Sequence, residues 1–481
     1  MNNVDKVVNA GSTQTAPSPD GFREKCGVFG VFGDENVTEL IFHGLYALQH
    51  RGQQGCGICV SNGKRAQVIK GLGLVADSLP VEKRSRLEGH IGIGHNRYAT
   101  TGRSGRLDNV QPLLVNYKDG KLAIAHNGNL TNAAAIRRTM EDNGSIFQTT
   151  TDSEIVLHLI AKSKAADFAD RVAEAVRPFE GALTCVIMNE DTLVGYRDPS
   201  GVRPLSLGYL DGMNLLASET CAFDLLGAQW IRDVEPGEMV VLTADGVESR
   251  RVATPRIPAQ CMFELVYFSR PDSIVFGENV NEVRYRLGQE LAKRHPVEAD
   301  VVIAIPDSSN AAALGYAAAS GIPYKHGLIR NHYVGRTFIK SDQESRVDAV
   351  RVKFNPVRSA LRGKRVVAVD DSVVRGTTSK SLVDLILKAG ATEVHFRVAS
   401  PPVTHPCHYG INTPSRHELI ASQKNADEIC EYIGAQSLGY LTLDDLATAV
   451  TAPNKYCLAC WTGDYPIPVP EAAGSVPFDL D

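Results

Sequence analysis

Long apolar runs are missing from this 481-residue chain. No stretch reaches the roughly 18 uninterrupted apolar residues that crossing a bilayer takes. Residues 1–25 also lack the apolar centre of a secretory signal, so the sequence predicts a cytoplasmic protein with no membrane partner. An excess of positive charge is absent too: Lys and Arg total 50 against 55 Asp and Glu, a net of -5. No basic field is available to hold nucleic acid through its phosphates. Cysteine is sparse for the length, ten in all, too few for a disulfide scaffold; in a reducing compartment such residues are catalytic, metal-bound or buried. What is present is ordinary globular usage, 43% hydrophobic and 22% charged with 42 Gly and 24 Pro, enough for two to four domains of roughly 100–200 residues.

Residues 1–25 mix Asn, Ser, Thr, Pro and Gly without periodicity, and the composition changes abruptly at Cys26. They read as a propeptide or disordered tail. Over residues 26–257, short strand-like runs such as CGVFGVFG, IGIGHNRYAT, KLAIAHNG and EMVVLTADG accompany two amphipathic helical stretches near 36–50 and 153–176. That pattern predicts an α+β layered domain. PRIP at 255–258 reads as a linker. Over 258–465 strands alternate with helices, through VVIAIPD, AAALGYAAAS, KRVVAVDD, SKSLVDLILKAG and EVHFRVAS, which predicts an α/β doubly wound parallel sheet. Residues 466–481 read as a loose, Pro-rich C-terminal tail.

The sharpest motif is VVAVDDSVVRGTT at 366–378, a buried strand running into two acids, a hydroxyl-rich loop with one Gly, and a helix. Such a loop lies at the carboxyl edge of a parallel sheet and at a helix N-terminus, where free N–H groups attract an anion. Ser372, Arg375, Gly376, Thr377 and Thr378 would wrap a phosphate. Asp370 and Asp371 would hold a ribose diol or a divalent cation beside it. The loop has neither a G-K-[ST] ending nor a GxGxxG turn. Adjacent acids can merely end a strand and cap a helix, but the full pattern resembles the phosphoribosyl pyrophosphate (PRPP) motif of type I phosphoribosyltransferases. On that resemblance Ser308, in VVIAIPDSS, would help hold pyrophosphate and Mg2+. Residues 331–353 carry several cations and read as a lid over a polyanion, against the plainer reading of a solvated basic face.

Cys26 stands where tail meets fold, with no His beside it. Cleavage of the Lys25–Cys26 bond would create an α-amine able to serve as base for the thiol of the same residue. For an isolated cysteine, a small buried residue starting a strand is the default reading. The motifs around it argue otherwise: CGVFG at 26–30, HRGQQG at 50–55, HNRYATTG at 95–102, HNGNL at 126–130 and TDSE at 151–154. Together these resemble the amino-terminal-nucleophile glutamine amidotransferases, an αββα sandwich fold. Glutamine presents an α-carboxylate that suits a bidentate cation, an α-ammonium that suits a carboxylate, and an amide whose attack creates an oxyanion. The resemblance assigns Arg97 to the first, Asp152 to the second, and Asn127 with the Gly128 N–H to the oxyanion. His126 is read as ordering the turn rather than performing proton transfer.

Cys457 and Cys460 form a C-x2-C that places two thiolates within reach of one metal, leaving tetrahedral zinc or an iron-sulfur centre both open. A second C-x2-C, Cys56 and Cys59, falls in a strand, where residues three apart face opposite ways. Cys185, Cys221 and Cys430 read as packing residues.

Both halves in this order resemble the amidophosphoribosyltransferase family, in its iron-sulfur branch with a propeptide. The resemblance implies hydrolysis of glutamine, transfer of its ammonia to C1 of PRPP through an enclosed passage, and the first committed step of purine nucleotide synthesis. It adds Cys261 and Cys407 to Cys457 and Cys460 as ligands of one [4Fe-4S] cluster per subunit, one Mg2+ per subunit, purine nucleotides as feedback inhibitors and a homotetramer. The chain departs from the family's pattern in a longer leader, and in Asn96 and His332, where Val or Thr, and Arg, are expected. A PRPP-sensing binding protein is the rival reading, but it has no need of Cys26, Arg97 and Asp152 together.

Overall fold

The computed structural model describes residues 26–33, 35–98, 106–331, 350, 352–413 and 415–470. The expected propeptide, His332, most of the expected lid and the chain beyond 470 lie outside the described residues.

Two antiparallel sheets dominate the first half. The seven-stranded sheet runs in the order 229–233, 206–210, 213–217, 27–32, 91–97, 55–61, 66–72; the six-stranded one runs 246–251, 238–243, 193–197, 181–188, 120–130, 113–117. Their inner faces meet through Val28, Phe32, Ile91 and Ile93 from one sheet and Ala123, Ala125, Val186 and Leu193 from the other. Helices cover the outer faces. The strand Gly27–Phe32 is buried on both sides, so it reads as an unbroken apolar run rather than an alternation. Its Phe29 and Val31 turn outward onto the helix Thr38–Ala47. That helix lies close because Gly44 has no side chain; a Cβ there would come within 2.8 Å of the Phe29 ring. The other outer face carries the helices Ala133–Asp142, Ser153–Lys162 and Phe168–Val176. The chain therefore forms the αββα sandwich anticipated from sequence.

The single helical stretch expected near 153–176 is two helices. Asp167 starts the second one, its side chain accepting the Asp170 N–H at 3.1 Å. Such a cap stabilises a new helix start at the expense of a continuous one.

In the second half four parallel strands stand in the order Val301–Ala304, Arg365–Asp370, Glu393–Val398, Ser437–Tyr440. The helices Val280–Arg294 and Asn310–Ser320 cover one face and Thr377–Lys388 and Ala426–Ile433 the other, the doubly wound arrangement. The first two helices almost touch, since a Cβ on Gly288 would sit 1.8 Å from the Ala312 carbonyl oxygen. Residues 466–470, expected to belong to a loose tail, are anchored at Ile467, with the prolines on either side of it exposed. Ile467 is buried, and the Tyr409 hydroxyl donates to its carbonyl at 2.7 Å while accepting its N–H at 3.1 Å. A short apolar residue between prolines gains order from a distant tyrosine that no local pattern reveals. Among the described residues no helix is long and apolar enough to cross a membrane.

Candidate active site

Cys26 enters the central strand of the seven-stranded sheet, with Gly27 paired to Asn96. Its thiol is buried and donates to the Tyr98 carbonyl at 3.4 Å. Burial raises this thiol above its ordinary value, while the Tyr98 backbone and the Arg97 and Arg51 guanidinium groups pull the other way. Arg97 closes the neighbouring strand Ile91–Arg97. It is buried and donates to the Asn109 carbonyl. Asn96, the departure in this strand, turns away and donates to the Leu45 carbonyl at 2.7 Å.

Asn127 and Gly128 lie on the strand Gly120–Leu130 of the other sheet. The Asn127 side-chain amide is buried and its Nδ2 donates to nothing among the described residues. A buried donor without an acceptor is costly unless a ligand supplies one. Gly128 has φ +149°, and a Cβ would lie 2.1 Å from the Ala182 carbonyl oxygen, so only glycine fits. Asp152, buried, accepts from the Leu130 N–H at 3.1 Å and lies 3.6 Å from His126 Nδ1. Burial alone would raise this carboxyl, but His126 and the Leu130 N–H hold it below the ordinary value. His126 is locked by Ser153, the Ala182 carbonyl and a bond from its own N–H to Gln111. It therefore orders Asp152 from within the strand Gly120–Leu130, where the sequence reading placed it in a turn.

In the second half Asp370 and Asp371 end the strand Arg365–Asp370, and both are buried. Burial first, then mutual repulsion at Asp370, raises these carboxyls. Ser308 and Ser372 donate to the two oxygens of Asp371, and Ser309 leans toward both acids. This carboxylate-hydroxyl set is oxygen-only, the donor type a hard divalent cation takes. Gly376, at φ +78°, caps the helix Thr377–Lys388. The hydroxyl of Thr377, the first helical residue, is buried and has no hydrogen-bond partner among the described residues. Arg375 is turned outward and donates to Glu418 at 2.9 Å rather than into the loop.

Backbone pairing brings the segments that carry the four cysteines of the expected cluster alongside one another. Gln260–Cys261 pairs in parallel with Tyr456–Cys457, so Cys261 and Cys457 are register partners. Cys460 accepts the Thr404 and His405 N–H groups at its carbonyl, which carries the segment bearing Cys407 alongside. The Tyr409 N–H donates to Cys407 Sγ at 3.3 Å. Each of these four thiols is raised by burial, and Cys460 further by Cys407, Cys261 and Cys457 in turn. None of the four is in a disulfide, and thiolates are the soft donors that zinc or an iron-sulfur cluster takes. As placed, no group of three or more His, Cys, Asp or Glu side chains among the described residues closes tightly enough to grip an ion. Cys56 and Cys59 do face opposite ways, one into the outer helix layer and one between the sheets.

Sequence reasoning missed the residues that seat these groups: Asn109 under Arg97, Gln111 and Ser153 around His126, and Glu219 and Glu264, which hold Arg51. Arg51 stood within a quoted motif. The two glutamates carry no local signal, because they meet Arg51 only through the fold.

Residues 95–224 match the family described as glutamine amidotransferase domain. Over 448 residues the chain is 51% identical to amidophosphoribosyltransferase 1, chloroplastic, of Arabidopsis thaliana, covering 92% of this chain and 79% of that one. It is 46% identical to amidophosphoribosyltransferase of Bacillus subtilis, over 93% of this chain and 95% of that one. A solved structure described as glutamine PRPP amidotransferase from B. subtilis, complexed with ADP and GMP, superposes with a TM-score of 0.88 at 45% identity. That match covers 93% of this chain and 98% of the other. With about half its residues shared across nearly all of its length, the chain belongs to the amidophosphoribosyltransferase family.

Proposed function

We propose that this protein is a glutamine-dependent amidophosphoribosyltransferase, making 5-phosphoribosylamine, glutamate and pyrophosphate from glutamine, PRPP and water. The observation that carries the reading is the buried Asn127 Nδ2, without an acceptor among the described residues, on one sheet beside Gly128, where the crowded backbone admits only glycine, with Cys26 on the other sheet. Cys26 Sγ attacks the side-chain carbonyl carbon of glutamine, its proton passing to the amine freed by cleavage at Lys25–Cys26. Asn127 Nδ2 and the Gly128 N–H take up the negative oxygen. Ammonia leaves with the transferred proton, and water then cleaves the thioester to release glutamate. Arg97 binds the α-carboxylate and Asp152 the α-ammonium.

Ammonia reaches C1 of PRPP in the second half, where the C1–pyrophosphate bond breaks as the C–N bond forms. Gly376, Thr377 and Thr378, with Ser372, hold the 5′-phosphate. Arg375 joins them by exchanging Glu418 for the phosphate. Asp370, Asp371 and Ser308 would hold Mg2+, which supplies charge neutralisation for the departing pyrophosphate. Cys261, Cys407, Cys457 and Cys460 would hold a [4Fe-4S] cluster, which would tie the linker, the second half and the C-terminal segment together. The reaction involves no redox change, so this role is structural. None of the ten cysteines is in a disulfide, which favours a reducing cytoplasm. Purine nucleotide feedback is supported by the B. subtilis structure's ADP and GMP, and a homotetramer is the assembly expected.

Glutamine hydrolysis measured with and without PRPP tests both halves at once. Hydrolysis stimulated by PRPP is expected, whereas a PRPP sensor releases no glutamate in either condition. Iron and sulfide analysis of anaerobically purified protein is expected to find four irons per chain. Zinc at one per chain would overturn the cluster alone.

A further inference from the structure

The steps above leave five buried charged groups unused, and they form one continuous cluster between the two halves. Arg51 is 2% exposed and donates from Nε to the Cys26 carbonyl at 3.1 Å. Its other two nitrogens engage Glu264 at 3.2 and 2.9 Å, one to each carboxylate oxygen, and one of them also donates to Glu219. Glu264 belongs to the second half: it opens the π-helical turn Glu264–Phe268 just past the linker. It also accepts the Ser269 hydroxyl at 2.9 Å and lies 3.6 Å from Arg203. Arg203 donates in turn to the Tyr409 carbonyl at 3.1 and 2.6 Å, two residues beyond Cys407. Arg284, on the helix Val280–Arg294, holds the same π turn by donating to the Leu265 and Ser269 carbonyls at 2.8 and 2.7 Å. It lies in the field of Asp371, the strongest negative charge acting on it.

A bidentate guanidinium-carboxylate pair fixes the plane of the arginine as well as its position. With two nitrogens committed to Glu264, the Arg51 Nε–H can point in one direction, and it points at the carbonyl of the nucleophile. We propose that Glu264 is a positioning residue for Cys26, setting the nucleophile's backbone through Arg51 from the phosphoribosyltransferase half. On the second-half side its position is set by Ser269 and by Arg284, which holds its turn, while Arg203 of the first half lies on its other side; the second half thereby bears on where the thiol of the first half sits. This inference rests on the amidophosphoribosyltransferase reading above. Without Glu264, Arg51 keeps only Glu219 and can rotate about that carboxylate. The thiol then stands off line from a substrate that Arg97 and Asp152 still hold.

The test is Glu264→Gln in the full chain, assayed with PRPP saturating. Misplacing a reacting atom by a fraction of an ångström lowers kcat for glutamine about 10- to 100-fold. KM for glutamine and ammonia-dependent synthesis should both stay within about twofold of the parent, because neither uses the relay. An unchanged glutamine kcat overturns the inference, and so does a parallel loss of glutamine-dependent and ammonia-dependent activity, which marks a merely structural pair. Should that variant fail to fold, Ser269→Ala removes one bond to Glu264 and keeps every charge. It should lower the glutamine kcat alone by about threefold, as loss of a modest hydrogen bond does, and no change there overturns the inference equally. Parent protein inactive with both nitrogen sources would instead sink the functional reading. An active parent with an indifferent variant sinks only the relay.

Discussion

The two halves build their sites by opposite means. In the antiparallel sandwich the functional side chains sit inside strands or at their ends: Arg97 on one sheet, Asn127 and Gly128 on the other, with Cys26 leading the central strand. They meet only because two sheets stack. In the parallel half the site lies past the strand end, where Asp370 to Thr378 run consecutively into a helix N-terminus. The first arrangement buys rigidity and buries its groups in protein; the second leaves backbone donors free for a ligand that arrives with its own charge. A change in the sandwich should therefore strike a chemical step, and a change in the loop should strike binding.

The largest effect expected is from Cys26→Ala, which removes the nucleophile. Glutamine-dependent synthesis should fall by about 10³-fold or more, while ammonia-dependent synthesis persists. Loss of both in steady-state assays would mean the halves are not separable. A smaller effect is expected from Thr377→Val, which deletes the partnerless hydroxyl and keeps the shape. KM for PRPP should rise about tenfold, the scale of one hydrogen bond to a charged group, with kcat for glutamine hydrolysis at saturating PRPP preserved. A fall in kcat without a change in KM would break the contrast between the halves.

The smallest effect is on stability against pH. Asp152 is held below 3.8 and, although burial opposes it, His126 is held above 6.5 by Asp152. A depressed carboxyl contributes stability above its unfolded value and loses it as pH falls through the folded one; a raised imidazole contributes below its unfolded value and loses it as pH rises through the folded one. The pair is thus worth most between pH 3.8 and 6.5. The Tm deficit of Asp152→Asn against the parent should be greatest in that window and shrink at higher pH. A deficit that stays constant from pH 5 to 9 would contradict the pairing.

Much of this was legible in the chain. The unbroken apolar run of Gly27–Phe32, the strand-to-helix motif ending at Thr378 and the alternation after residue 258 each follow from local pattern. Local pattern also misled. One helix was expected where Asp167 starts a second, and a loose end was expected where Ile467 is tied to Tyr409. Arg375 reads as a phosphate ligand by its place in the motif, yet in this structure it answers Glu418, a partner 43 positions away.

The sequence by itself determined what is contiguous: the anion loop, the paired acids, the strands and the candidate nucleophile, because periodicity and loop chemistry act over a few residues. Only the tertiary structure decided which buried charges answer one another. Arg51 lies 168 residues from Glu219 and 213 from Glu264, and a guanidinium removed from water is stable only where a carboxylate from elsewhere in the chain is brought to meet it.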